Sequence, residues 1–185
     1  VFTDWSGIGT INIDYSDIQG GAEGIISQDD DTITWGVGNI NADPRFIDPD
    51  DGNYNLFASS RLINAGDPNL TDSDGSRSDI GAYPYLNDYA GEAGWSVSAD
   101  TGDDIEGTGD PNGTPFATIQ AGLNFARDDQ TVNVANGTYL ENVIWPQVDG
   151  IQLLGEDRDA TTVNGGGIAP VFTIGVDATL SGLTI

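Results

Sequence analysis

The chain has 185 residues and carries 30 acidic side chains against 5 basic ones, a formal charge of −25. The bases are all arginines (Arg45, Arg61, Arg77, Arg127 and Arg158), and lysine, histidine and cysteine are absent. This composition excludes disulfides and thiolate metal sites, and it argues against binding to nucleic acid or anionic membranes, because too few cations are present to neutralise phosphates.

Hydrophobic residues make up 37% of the chain and charged residues 19%, which is too apolar for a disordered acidic tail and enough for a packed core. Twenty-six glycines, among many Asn, Asp, Thr and Ser, predict a turn-rich all-β protein. No apolar run reaches bilayer length and no signal peptide opens the chain, so membrane insertion is not expected.

In chain order, Ile11-Asn-Ile-Asp-Tyr-Ser alternates apolar and polar residues as a half-buried strand does. Ile25-Ile26 follows the Gly20-Gly21 turn, and Thr32-Ile-Thr-Trp35 predicts a second strand. Tyr54-Asn-Leu-Phe57 and Leu62-Ile63 are brief and bounded by Asp, Pro and Gly. Residues 87–113 are polar, acidic and glycine-rich, with a short strand possible at Trp95–Ser98. Thr114-Pro115 then predicts an N-cap and first helical residue, with Phe116, Ile119, Leu123 and Ala126 on one helical face and Asp128-Asp129 at its end.

Beyond the helix the period changes. Val132 and Val134 alternate with polar residues, and Asn136-Gly137 signals a turn. Strand-like stretches follow at Asn142–Trp145, Ile151–Leu154, Thr161–Asn164, Val171–Ile174 and Leu180–Ile185. The step from Val132 to Ile151 to Val171 is about 20 residues, in the range of a solenoid coil. Such coils stack and bury an inward apolar stripe, and an amphipathic helix before the first coil covers its otherwise unpaired end.

Trp95–Asp104, Gly107-Thr108, Pro115–Gln120, Thr131–Tyr139, Glu141–Val143, Ile151–Glu156 and Thr161–Gly165 together resemble the opening segment of pectate-lyase-like β-helix proteins and the first coils of pectin methylesterases. Asn39–Phe46, Tyr54–Leu56, Ser60–Pro68, Asp72–Gly75 and Asp79–Tyr83 resemble the closing coils of similar extracellular domains. The resemblance implies an all-β, right-handed parallel β-helix with one short amphipathic capping helix near 115–127. It also implies an order: closing coils of one domain over 1–86, an acidic linker over 87–113, and the cap and first coils of a second domain over 114–185. Val1 stands in mid-pattern and Ile185 follows a strand-like run, so the chain is expected to be a fragment or one repeat unit.

The resemblance implies no single activity, because this fold carries lyases, hydrolases, esterases, adhesins and inert repeats alike. Lyases of this type use Arg or Lys with calcium; here lysine is missing and the arginines are scattered in sequence, so no catalytic residue is assigned. Gln120 and Asn142 are expected to be structural.

Calcium is the chemical expectation. Asp72, Asp74 and Asp79 flank a glycine turn, and calcium takes several carboxylate and carbonyl oxygens. Asp48, Asp50 and Asp51 form a looser cluster, as do Asp100, Asp103, Asp104, Glu106 and Asp110. The competing reading is that these carboxylates accept hydrogen bonds from nearby backbone amides. Trp5, Trp35, Trp95, Trp145, Tyr15, Tyr83, Tyr85, Tyr89 and Tyr139 are expected to pack in the core rather than form a sugar-stacking platform. Asn69, Asn112 and Asn136 open glycosylation-type triplets.

The expected function is that of a structural or adhesive repeat unit in an extracellular fibre, surface layer or adhesin at the cell surface, rigidified by calcium. Its expected partners are copies of itself or adjacent repeats, end to end, with a polysaccharide as a further expected partner. The alternatives are a carbohydrate-active enzyme or glycan-binding module, and a phage fibre segment.

Overall fold

A computed structural model describes residues 9–26 and 31–185. Strand β1 (Thr10–Ile13) pairs in parallel with β2 (Thr32–Trp35), Ile11 against Ile33 and Ile13 against Trp35. Among the described residues between them, a short 3-10 turn spans Gly21–Gly24. Strands β3 (Phe46–Asp48) and β4 (Asn53–Leu56) form an antiparallel hairpin around the Pro49–Gly52 turn, closed on one face by edge-to-face rings of Phe46 and Tyr54. This hairpin departs from the parallel coils expected of the first segment. Its Asp-Asp-Gly turn reverses the chain at once, whereas a parallel return needs a longer crossover.

Strand β5 (Trp95–Val97) precedes helix α1 (Ile119–Phe125). The next coil contributes β6 (Thr131–Val134), β7 (Gly137–Leu140) and β8 (Val143–Ile144). The coil after it contributes β9 (Ile151–Gly155), β10 (Thr161–Asn164) and β11 (Phe172–Thr173), and β12 (Ala178–Ser181) begins another. All their pairings are parallel: β5, β6, β9 and β12 form one sheet in that order, β7 pairs with β10, and β8 with β11. The chain is thus a β-solenoid whose second segment winds around three faces.

The inward columns are read directly from the register. Trp95, Val132, Leu153 and Leu180 stack on one another, as do Val97 and Val134. Val97, Val132, Leu153 and Ile151 are fully buried. The even step from Val132 to Ile151 to Val171 is corrected here: Val132 pairs with Leu153 and Leu153 with Leu180, and these steps are unequal. Val171 belongs to another face, where its carbonyl accepts from the Val143 N–H. The glycine-rich stretch after Asn164 lengthens the second coil and breaks the sequence period.

The helix lies within the expected span, but it begins at Ile119 and its N-cap is Thr118, whose hydroxyl accepts from the Ala121 N–H at 3.2 Å. Thr114-Pro115 is not the cap. The Phe116 N–H donates to the Ser96 carbonyl and Phe116 bridges Val97 in parallel, so tertiary pairing keeps this stretch extended. Gly122 lets the helix sit close on the coil below. A methyl there would lie 2.7 Å from Val132 Cγ1 and 2.8 Å from Val97 Cγ2, too near for any side chain.

Candidate functional site: a fastened joint and its clefts

Residues 56–63 pack directly on helix α1. Leu56, Ala58, Leu62 and Ile63 share one buried core with Ile119, Leu123 and Phe125 of α1. Asn124 on α1 donates from one amide nitrogen to the carbonyls of Ala58 (2.9 Å) and Ser60 (2.8 Å). The Asn64 amide returns the contact, donating to the Asn124 carbonyl at 3.2 Å, and the Ala58 N–H donates to the Asp104 carbonyl at 2.7 Å. Asn64 reaches this position in a left-handed conformation (φ 54°), which Asn tolerates better than most residues.

The first N–H groups of a helix have no partner inside it. In α1 each one finds a side chain. Asp104 accepts from the backbone of Ala117 and Thr118 and from the Thr118 hydroxyl. Glu141, on the coil below, accepts from Ile119 at 2.9 Å and Gln120 at 3.0 Å through its two oxygens. Burial pushes the Glu141 carboxyl up, against the opposing pull of those two amides. Gln120 is structural, as expected: its amide donates to the Ile144 carbonyl and accepts from the Ile144 N–H, binding the helix to β8 as a strand would. Asn142 likewise donates to the carbonyls of Gly165, Ala169 and Pro170.

Aromatic rings fill the joint. Phe116 and Phe125 stack at 4.9 Å, Tyr85 meets Phe125 edge-on, and Tyr89 meets Trp95 edge-on. Gly91 (φ 77°) lets the chain pass over Trp95, where a Cβ would be 2.7 Å from the indole. The Tyr85 hydroxyl donates to the Gly107 carbonyl, and burial raises its pKa well beyond the usual tyrosine range. Trp95, Trp145 and Tyr139 are buried and Tyr83 is exposed; Trp5 lies outside the described residues. Burial also raises the pKa of Tyr139.

The acidic clusters are drawn to different partners. Asp72 accepts from the Asp79 N–H. Asp74 accepts from the Ser76 N–H and hydroxyl and from the Asn87 N–H. Desolvation would raise its pKa, but these hydrogen bonds together outweigh it and hold the carboxyl below the usual range. Asp79 accepts from Asn64 at 2.7 Å and Tyr85 at 2.8 Å; burial, with added repulsion from Asp72 and Asp74, pushes it up to about 6 despite those amides. Asp48 accepts from the Asp51 N–H in an exposed turn that also carries Asp50. Asp103 accepts from Ile105 and Glu106, and Asp110 from Asn112, while Asp100 and Glu106 stand exposed. Among the described residues no three acidic side chains converge as a cation site.

Two clefts flank the joint. One, of about 680 Å³, is lined by Arg45, Phe46, Phe57, Asp103, Asp104 and Thr118, among others. The other, of about 710 Å³, is lined by Arg61, Arg77, Arg127, Phe125, Trp145 and Gln147, among others. The fold therefore gathers into one cleft three of the five arginines, which are scattered along the sequence; no local sequence signal marks this. The chain matches no protein-family model, no curated protein and no solved structure.

Proposed function

We propose that this chain is a structural segment of an extracellular fibre, surface layer or adhesin. In this reading it is a β-helix of pectate-lyase-like type in which the end of one solenoid is fastened to the cap of the next. The joint carries the reading. Asn124 ties the helix to Ala58 and Ser60, while Asp104 and Glu141 hold the same helix from either side. A connection built from buried residues and satisfied backbone amides resists bending, as an array of stacked coils needs. The three-faced winding of the second segment supports the pectate-lyase-like type. The acidic turns are held by their own amides, so the reading does not require calcium.

Adjacent repeats or further copies, end to end, are the partners this function calls for. Electron microscopy of the protein at its native length tests it. Straight rods or filaments of regular width are expected, and compact, monodisperse particles would contradict the reading.

A further inference from the structure

We infer that the cleft beside the cap helix binds a small organic carboxylate through Arg61 and Arg127. In a chain of charge −25, arginines are expected to be absorbed by neighbouring acids. Among the described residues the only ion pair is Arg158 with Asp159, at 3.7 Å on the surface. The guanidinium groups of Arg61 and Arg127 donate to nothing among the described residues, yet both line the same cleft. Arg77 completes the wall. Its guanidinium donates to the carbonyls of Gly66 and Ala65 and lies 6.0 Å from the Tyr15 ring, which fixes its charge in place.

The rest of the cleft suits a compact organic molecule. Its volume, about 710 Å³, is that of a small-ligand pocket. Gln120 and Asn124 form a saturated polar floor, their amides already bonded to each other and to backbone. Trp145 supplies an apolar wall and is 2% exposed. Its indole N–H is the one buried side-chain polar atom without a partner among the described residues.

A planar guanidinium grips carboxylates and phosphates alike. Desolvation separates them, because attraction to the arginines grows in proportion to the ligand's charge while the cost of stripping its water grows with the square of that charge. A monoanion is favoured over a dianion, hence a carboxylate over phosphate. This binding is independent of the proposed mechanical role of the joint.

The test is a titration of the whole chain with gluconate, a hydroxylated monocarboxylate, read by calorimetry and tryptophan fluorescence at low salt. Sorbitol and inorganic phosphate are the comparison ligands. Saturable gluconate binding is expected, stronger than phosphate and absent with sorbitol. Arg61→Gln and Arg127→Gln should each weaken it by about tenfold, the scale of one charge-assisted contact. Arg158→Gln should leave it unchanged, and melting curves should show all three variants folded. No gluconate binding, equal binding by the two cleft variants, or a preference for phosphate would each overturn the inference. Concentration-dependent self-association lost in the same variants, without gluconate binding, would overturn it in favour of an acidic turn from a second copy.

Discussion

Strands β1 and β2 and strands β6 and β9 are written in the same alternating pattern, yet they are buried differently. Val132, Val134, Ile151 and Leu153 are sealed from water. No residue of β1 or β2 is fully buried, and Ile11 is 48% exposed. The difference lies in what faces the strand. Behind β6 and β9 lie two further faces of the coil, the cap helix packs on β6, and the buried core continues through that helix to Leu56–Ile63. Among the described residues, strands β1 and β2 pair only with each other. Alternation thus specifies which side of a strand can be inward; neighbouring coils and caps decide whether that side becomes dry.

The largest expected effect separates these regions. Leu153→Ala should cost about 3 kcal/mol in denaturant unfolding, because it empties a packed interior, whereas Ile33→Ala should cost less than about 1 kcal/mol. Equal losses would break the comparison. Next is the cap. Glu141→Ala leaves the Ile119 and Gln120 amides without their acceptor and should cost about 2–3 kcal/mol, with Glu141→Gln recovering part of it. Calorimetric melting of both variants measures this.

The pH profile tests the closing turn. Asp79 has a folded-state pKa of about 6 against an ordinary 3.8, so its contribution to stability is fully present below 3.8 and is lost as pH rises through 6. Glu141 is shifted in the same direction. The chain should therefore be more stable at pH 5 than at pH 7.5 by roughly 1–2 kcal/mol, seen as a higher melting temperature, and Asp79→Asn should flatten that slope. A smaller effect than that of the cap is expected at Gly122. Alanine favours helix, but its methyl would collide with Val97 and Val132, so Gly122→Ala should destabilise by about 1–2 kcal/mol rather than stabilise. Urea midpoints give the sign.

Much of the core was legible in the sequence. The alternation at Val132–Val134, Ile151–Leu153 and Thr161–Val163 marks the inward residues, and turn chemistry marks the coil ends. The register was not legible, because the glycine-rich stretch after Asn164 lengthens one coil without altering any strand. The helix start is hidden in the sequence because Thr114-Pro115 has the local chemistry of a cap, while pairing of Phe116 with Ser96 and Val97 keeps that stretch extended. The acidic turns suit cations and amides equally in sequence, and only geometry assigns Asp104 and Glu141 to the helix and Asp79 to the closing turn. The arginine cleft was illegible for a simpler reason: residues 61, 77 and 127 lie far apart in sequence and meet only in the folded chain.

Native-state hydrogen exchange tests most directly the claim that the segments are fastened into one unit. The amides of Ala58, Ile119 and Gln120 report on the joint, and those of Val132 and Leu153 on the coil interior. The fastened joint predicts that all five exchange only through the same global unfolding, with equal free energies of opening. Exchange at Ala58, Ile119 and Gln120 through a much lower-energy local opening, with Val132 and Leu153 still protected, would show two bodies joined by a loose hinge and contradict the account.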